Sequence, residues 1–519
     1  MDFHLLELFV RSATFELDNR EIYRTAKPYR VYLNGELILS DRTENVFSLY
    51  HLLPGTDYTV MLESDGEQRE CTFCTPDEAV LLDVRRFGAV GDGVTPSTSA
   101  VQAAILSCPA GGTVYFPQGV FLTGPVFLKS DITLYLEEGA VLLGETGREN
   151  YPLLPGVTLS ANENDEYYLG TWEGNPLTSY ASLLTGIEVN NVSITGQGTI
   201  DANAQNGDWW IQAKIKRGAW RPRVLFLCRC RSIRVQGVTF RNSYAWTIHP
   251  YFSSRIRLLD ISVLNYELSP NTDGIDPESC EDVQIIGVRI SVGDDCIAIK
   301  SGKRFMGEKQ KIPSAEIVVR NCLLERGHGG VVIGSEVSAG VHDVRVSQCL
   351  LNNTDRGMRI KTRRGRGNSC VLDNILFENV HMDGVLTPFV INMFYFCDPD
   401  GHSRYVWEKS SMPVSDETPR VGRLICRDVT CVNCSVAGAF FYGLPEMPIA
   451  CVELENILIS FRSDAQKGFP AMMDQIEMTE KLGLFACNVK NLRLKQVKIE
   501  GYKGRRMITD AVEQLDEEE

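Results

Sequence analysis

The sequence predicts an all-β protein in which a solenoid of parallel β-strands, a β-helix, follows a small antiparallel β-sandwich. Helical periodicity is missing after residue 112, where short apolar runs alternate with Gly, Asn, Asp and Ser. Equivalent apolar residues also recur after 23, 27, 34, 27 and 31 residues, at Ile233, Ile256, Val283, Ile317, Val344 and Ile375. Such an irregular repeat is typical of stacked coils that carry loops of different lengths. A β-propeller is the structural alternative, but the tight hairpins that its blades need are not seen.

We predict that residues 1–77 form the sandwich, because their short strand-like runs are separated by turn sequences such as Asn34-Gly35 and Pro54-Gly55. The segment around Tyr58 resembles the tyrosine corner of fibronectin type III domains. We expect the β-helix to occupy residues 80–505, with a short helix near its start as a lid over one end of the core. Residues 506–519 are expected to form an acidic tail.

Composition limits the classes of partner. The apolar fraction of 44% and the charged fraction of 23% are typical of a soluble globular protein, and no apolar run reaches the length of a membrane span. The net charge of −15 argues against a nucleic-acid partner. No secretory signal is recognisable, so we expect a cytoplasmic protein whose 16 cysteines are mostly buried, reduced thiols. We expect no metal and no cofactor, and the sequence leaves the oligomeric state open.

Four short clusters place charged or titratable residues between β-branched runs: Asn271-Thr272-Asp273, Gly293-Asp294-Asp295, Gly327-His328-Gly329 and Arg359-Ile360-Lys361. Asp273 and Asp294 are 21 residues apart, about one coil, so stacking would place them on neighbouring strands. Strand alternation would put Asn271 and Asp273 on one face. Asp294 and Asp295 would point to opposite faces unless Gly293 bends the chain.

This combination indicates glycoside hydrolysis. Clustered carboxylates repel one another, which favours a protonated acid beside ionised bases, as the cleavage of a glycosidic bond requires. His328 lies between two glycines and can come close enough to control a carboxylate's protonation. The basic residues Arg359 and Lys361 can bind an acidic sugar. Each cluster alone is more often structural, so the prediction depends on their occurring together.

In this order the four clusters resemble the signature motifs of glycoside hydrolase family 28, the polygalacturonases and their relatives. The resemblance implies a right-handed parallel β-helix of the pectin-lyase-like class. It also implies that Asp294 is the general acid, that Asp273 and Asp295 activate water, and that His328 assists. By the same resemblance Arg359 and Lys361 bind the sugar carboxylate, and the reaction inverts the anomeric configuration. Carboxylates one strand apart would instead suggest retention, and we expect inversion.

Long inserts at 145–180, 301–310 and 395–422 resemble those of exo-acting bacterial members, some of which carry an N-terminal fibronectin-like domain. We therefore expect release of galacturonic acid from the ends of α-1,4-linked oligogalacturonides. Four further residues, Asn271, Trp246, His249 and Tyr395, are candidates for contacting the sugar. The alternatives are hydrolysis of rhamnogalacturonan or xylogalacturonan, a calcium-dependent pectate lyase, and a carbohydrate-binding protein without activity.

Overall fold

An antiparallel β-sandwich of seven strands opens the chain in a computed structural model that describes residues 1–518. Its strands are β1 (Phe3–Leu8), β2 (Ala13–Leu17), β3 (Arg24–Leu33), β4 (Glu36–Glu44), β5 (Val46–Leu49), β6 (Asp57–Ser64) and β7 (Glu67–Cys74). One sheet has the order β1-β2-β5 and the other the order β4-β3-β6-β7. Phe15 and Phe47 stack between the sheets with ring centroids 5.2 Å apart. The hydroxyl of Tyr58 accepts a hydrogen bond of 2.8 Å from the Leu53 amide, as a tyrosine corner requires.

The first coils of the β-helix begin beyond residue 80. They contain β8 (Leu81–Asp83), a 3-10 turn (Val84–Phe87), β9 (Asp92–Pro96), α1 (Thr98–Ser107), β10 (Gly112–Phe116), β11 (Gly119–Thr123), β12 (Val126–Phe127), β13 (Ile132–Leu136) and β14 (Ala140–Gly144). The apolar face of α1, formed by Val101, Ala104 and Ile105, is fully buried in the core cluster of the solenoid. This helix covers one end of the core, as predicted.

An insert follows, with a 3-10 turn (Arg148–Asn150), β15 (Leu153–Leu154), β16 (Val157–Leu159), β17 (Glu166–Tyr168) and β18 (Ser179–Tyr180). The coils continue with β19 (Leu184–Ile187), β20 (Asn190–Gly196), β21 (Thr199–Asp201), a 3-10 turn (Ala204–Asn206), β22 (Leu225–Cys228), β23 (Arg231–Gln236), β24 (Thr239–Arg241), β25 (Ile248–Tyr251), β26 (Ser254–Leu259), β27 (Ser262–Leu264), β28 (Glu281–Ile286), β29 (Arg289–Ser291) and β30 (Ile297–Ile299).

The remaining elements are α2 (Arg304–Gln310), β31 (Ser314–Arg320), β32 (Leu323–Glu325), β33 (Val331–Gly334), β34 (Val341–Ser347), β35 (Leu350–Asn352), β36 (Arg356–Lys361), β37 (Val371–Asp383), β38 (Thr387–Asn392), α3 (Arg404–Trp407), β39 (Arg420–Val421), β40 (Arg423–Cys434), β41 (Ala437–Tyr442), β42 (Ile449–Phe461), β43 (Leu482–Glu500) and β44 (Met507–Glu518). The short helices α2 and α3 lie in two of the predicted inserts. No helix among residues 1–518 has the length and apolar character needed to cross a membrane.

Parallel pairing between successive coils builds three faces of the solenoid. One face runs through β23, β26, β28, β31 and β34, a second through β24, β27, β29, β32 and β35, and a third through β30, β33, β36 and β38. The third face carries the candidate site. A parallel β-helix is therefore confirmed.

The apolar residues of the predicted repeat pair with one another on the first face. Ile233 pairs with Ile256, which pairs in turn with Val283, and the series continues through Ile317 and Val344 to Ile375. All six side chains are buried in one continuous core. Several asparagines between the apolar runs adopt left-handed backbone conformations, including Asn321, Asn379 and Asn456 with φ of 54°, 52° and 52°.

The predicted tail at 506–519 is wrong as a separate segment. Strand β44 pairs in parallel with β43 from Met507 opposite Leu484 to Glu518 opposite Lys495. The open edge of β43 supplies unpaired backbone groups, and an acidic but extended segment can satisfy them while its side chains stay in water. The solenoid therefore extends through Glu518.

The sandwich packs firmly against the β-helix, on a side away from the third face. The Glu16 carboxylate accepts two hydrogen bonds of 2.6 Å from the Arg320 guanidinium and one of 2.7 Å from the Asn321 amide. Beside them the side chain of Val46 lies against Gly287, where an added Cβ would be 2.7 Å from Val46 atoms. The Val46 side chain therefore leaves no room at Gly287 for a larger residue.

We predict that Glu16→Gln lowers the free energy of unfolding by about 1–2 kcal/mol, because it removes a charge-assisted contact between the two parts. Urea unfolding followed by intrinsic fluorescence measures the change. Glu70→Gln is the matched control, since Glu70 is exposed on β7 of the same sandwich. Equal stability of the two variants would contradict this account of the contact.

Candidate active site

Three carboxylates meet on the third face of the β-helix. One oxygen from each of Asp273, Asp294 and Asp295 lies within 4.8 Å of the others. Asp273 and Asp295 are buried, whereas the Asp294 side chain is 25% exposed and faces the solvent side of the cleft. The predicted convergence of these three residues is present in the structure.

The backbone that carries the aspartates is not the regular strand that the sequence predicted. Asn271 ends a turn, where it adopts a left-handed conformation with φ of 57°, and Asp273 lies in the irregular segment that follows. They reach the same cavity through this turn and not through strand alternation. Asp294 and Asp295 both reach it because the chain bends at Gly293, where a Cβ would be 2.4 Å from the Ser269 carbonyl oxygen.

The predicted basic pair contacts the carboxylates directly. The Lys361 ammonium lies 2.6 Å from Asp295 Oδ2, and the Arg359 guanidinium lies 3.4 Å from Asp295 Oδ1. Both cations also lie near the ring of Tyr395, at 5.9 Å for Arg359 and 5.4 Å for Lys361. These three predicted residues therefore form one group beside Asp295.

His328 pairs with Asp294. Its Nδ1 lies 3.4 Å from Asp294 Oδ1, and its backbone amide donates to the Asp294 carbonyl oxygen. The interaction with Asp294 raises the pKa of His328 above its ordinary value. Burial raises the pKa of Asp294, but His328 and the more distant Lys361 outweigh burial, so the net pKa lies below the ordinary value. The pair holds a proton on the imidazole next to a carboxylate.

Asp273 has the opposite electrostatic environment. Burial, together with the negative charges of Asp276 and Asp294, raises the pKa of Asp273 well above its ordinary value. Asp276 lies deeper and is fully buried, and both of its carboxylate oxygens lack a hydrogen-bond partner, as does Oδ1 of Asp273. Asp273 therefore keeps its proton to higher pH than Asp294 does.

These side chains line a cavity of about 480 Å³. Further charged residues of the cavity were not predicted as site residues: Glu173, Lys214, Glu267, Lys300, Glu336 and Asp398. Lys300 directly follows the apolar strand β30, and Glu336 comes two residues after β33. A charged residue just after an apolar strand could have indicated these positions in the sequence. Such residues are also common at ordinary strand ends, and only the register of the coils shows which of them face the cleft.

Trp246 lines the cavity, but His249 does not. The His249 side chain is fully buried, and its Nε2 lies 2.9 Å from Glu278 Oε2. Its ring packs edge-on against Trp246 at 4.9 Å. The prediction that His249 contacts the sugar is therefore wrong, because strand β25 directs this side chain beneath the cleft.

The three converging carboxylates have the donor type that divalent cations prefer. Converging carboxylates occur equally in acid–base sites, and nothing else in the cavity distinguishes the two uses. We assign no metal to them.

We predict that Asp294→Asn lowers the pKa of His328 by about one unit, because the substitution removes the negative charge that stabilises the imidazolium. The imidazolium would then lose its proton at a lower pH than in the parent protein. An NMR titration of the histidine resonances measures the shift. The exposed His342, which pairs with Asp343 outside the site, is the internal control, and an unchanged His328 pKa would contradict the pairing.

Comparison with known proteins identifies the family of the chain. The model of glycosyl hydrolases family 28 matches residues 134–415, and a rhamnogalacturonase A/epimerase, pectate lyase-like model matches residues 81–154. A probable polygalacturonase of Vitis vinifera is 32% identical over 404 residues, which cover 76% of each chain. An exo-poly-alpha-D-galacturonosidase of Dickeya chrysanthemi is 27% identical over 68% of this chain and 65% of its own length.

Two solved structures are similar over long ranges. The hyperthermoactive exopolygalacturonase of Thermotoga maritima has a TM-score of 0.66 at 27% identity and covers 82% of this chain and 92% of its own. The family 28 exopolygalacturonase of Yersinia enterocolitica has a TM-score of 0.68 at 19% identity, over 100% of this chain and 99% of its own, which is a likeness of fold. The protein is a glycosidase, and the chain belongs to glycoside hydrolase family 28.

Proposed function

We propose that the protein hydrolyses α-1,4-linked galacturonic acid and acts at the ends of oligogalacturonides. The observation that carries this proposal is one cavity in which Asp273, Asp294 and Asp295 converge beside Arg359 and Lys361. Acid–base carboxylates and paired cations together are suited to a glycosidic bond between acidic sugars. The names of the similar exo-acting relatives support the same substrate class.

In the proposed reaction Asp294 passes a proton to the glycosidic oxygen. It is the most exposed of the three carboxylates, and because its own pKa is lowered it first takes that proton from the neighbouring imidazolium of His328. Asp273 and Asp295 lie deeper, where both can orient a water molecule. Asp295, which is paired with Lys361 and Arg359, can accept the proton of that water as it attacks the anomeric carbon.

Recognition of the acidic sugar falls to Arg359 and Lys361. Both side chains are largely buried and already ordered by Asp295, so they lose little conformational freedom when a substrate carboxylate arrives. Tyr395 packs against both cations, and Asn271 is held by a 2.7 Å hydrogen bond from Arg221. These contacts support the predicted binding roles of Tyr395 and Asn271.

Chain-end action is supported by a wall at one side of the cavity. The Lys303 ammonium lies 2.9 Å from Asp398 and 3.8 Å from Glu173, and its backbone amide donates to Gly174. Arg363 and Arg366 also pair with Asp398. All three predicted inserts therefore meet at Lys303, and a wall tied by ion pairs limits how many sugars the cavity accepts.

We further propose that residues 1–77 form a fibronectin type III-like domain and residues 80–505 the body of the catalytic β-helix. The sheet orders of the sandwich and the hydrogen bond at Tyr58 support this assignment. Because the sandwich packs away from the third face, structural support is a better role for it than contact with substrate. The cytoplasmic location expected from the sequence stays a prediction.

We predict that the protein releases galacturonic acid as the first and main product from saturated oligogalacturonides. Chromatography of early time points measures the products, and absorbance at ultraviolet wavelengths detects any unsaturated product of a lyase. Asp294→Asn is the control, which should bind the oligosaccharide and release no sugar. An early ladder of mixed oligomers would contradict chain-end action, and hydrolysis of rhamnogalacturonan or xylogalacturonan alone would contradict the substrate.

We predict inversion, so the first-formed galacturonic acid is the β-anomer. The distances between the closest oxygens of the three carboxylates do not distinguish inversion from retention. The rule that relates carboxylate separation to the stereochemical outcome refers to whole carboxyl groups. Proton NMR in the first minutes, before mutarotation, identifies the anomer. An initial α-anomer would mean retention and would require one aspartate to act as a nucleophile.

A further inference from the structure

The lysine and arginine side chains of the cavity differ in whether a carboxylate already holds them. Four of them line it: Lys214, Lys300, Arg359 and Lys361. Arg359 and Lys361 pair with Asp295, and the buried Lys300 lies within ion-pair distance of two buried carboxylates. Within residues 1–518 no carboxylate lies within 4.0 Å of the exposed Lys214 ammonium. Its charge is therefore available to a ligand.

The loop that carries Lys214 is fixed at its base. The Asp208 carboxylate accepts a 2.6 Å hydrogen bond from Arg217 Nη1, which closes the loop around Lys214. The same carboxylate accepts a 2.7 Å hydrogen bond from Arg148 Nε. Trp209 is fully buried, and the Arg148 guanidinium lies 4.1 Å from its ring centroid. These contacts keep Lys214 at the cavity before any ligand arrives, which lowers the entropy cost of binding.

The insert at 145–180 positions this loop. The hydroxyl of its Tyr180 donates a 2.8 Å hydrogen bond to the Arg217 carbonyl oxygen. Its Trp172 ring stacks on Trp220, just beyond the loop, with ring centroids 4.7 Å apart. The insert that forms part of the wall therefore also brings a cation to the cavity.

The proposed substrate carries a carboxylate on each sugar. Cleavage needs a sugar on either side of the bond, so two carboxylates enter a cavity whose lining is rich in acidic side chains. Arg359 and Lys361 form one compact group, since both contact Asp295 and both lie near the Tyr395 ring. One such group suits one sugar carboxylate. Without another cation the second carboxylate would be repelled by the acidic lining.

We propose that Lys214 binds the carboxylate of the second sugar, across the scissile bond from the sugar that Arg359 and Lys361 hold. This proposal rests on the proposed function and extends it, because each sugar beside the bond then has its own cation. The Lys214 ammonium exchanges water for the carboxylate and has no ion pair to break. A substrate that is acidic on both sides of the bond is thereby favoured over one that is acidic on one side.

The test compares Lys214→Met with Lys216→Met in the hydrolysis of trigalacturonic acid. Lys216 is exposed on the same loop but lies outside the cavity lining, so both substitutions remove one charge from one loop. Lys214→Met should raise KM about fivefold, as expected for one partly exposed ion pair, and should change kcat little. Lys214→Gln, a second neutral variant, should behave in the same way. Lys216→Met and Lys214→Arg should keep KM close to the parent value.

Methyl esters on single sugars identify the carboxylate that Lys214 binds. Three forms of trigalacturonic acid, each esterified on a different sugar, lack one charge each. For one form Lys214→Met and the parent protein should have equal KM, because the charge that Lys214 binds is already missing. For the other two forms the difference of about fivefold should remain.

Equal rises of KM in Lys214→Met and Lys216→Met would overturn the proposal, because long-range attraction and not contact would then explain them. An unchanged KM in Lys214→Met, or the same ratio of KM values for all three esters, would also overturn it. Thermal unfolding should give parent stability for each variant, since both lysines are exposed. Failure of the proposed function is a different outcome, because the parent protein would then release no galacturonic acid.

Discussion

In-register parallel pairing between coils is the constraint on which the rest of the structure depends. Ile275 bridges to Ile297, Ile297 pairs with Val331, and Val331 pairs with Met358. Each of these apolar residues is fixed in the core, so the residues two positions before them also lie close together. Asp273 precedes Ile275 and Asp295 precedes Ile297 by two positions. Pairing between coils therefore makes these two side chains neighbours.

The same register explains how the site tolerates so many buried charges. Isolated ionised groups are costly to bury, and each carboxylate here is either paired with a cation or competes for a proton. Asp295 has Lys361 and Arg359, Asp294 has His328, and Asp273 has no direct partner. A rigid stack of coils prevents these groups from moving apart to reach water, so their protonation states must differ instead.

The coil repeat, the core rows and the converging aspartates could be predicted from sequence, because apolar spacing determines which residues face inward. Side chains at strand ends could not be predicted so well. Lys300 and His249 both belong to short apolar runs, yet one lines the cleft and the other lies beneath it. The difference depends on how much each coil turns after its strand, which insert length and glycine bends decide. The edge strand β44 was missed for a related reason, since its pairing depends on an open neighbour and not on its own acidic composition.

The cations of the cleft have different ion-pair partners and therefore different roles. The chain carries a net charge of −15, so an acidic sugar approaches against long-range repulsion and needs local positive charge. Arg359 and Lys361 can meet that need only by sharing their charge between Asp295 and the substrate carboxylate. Lys300 is already paired with Glu336 and Asp276, so it has no such divided role. Separate cations let the ion pairs of Asp276 and Glu336 stay unchanged while an anionic sugar enters beside Asp295.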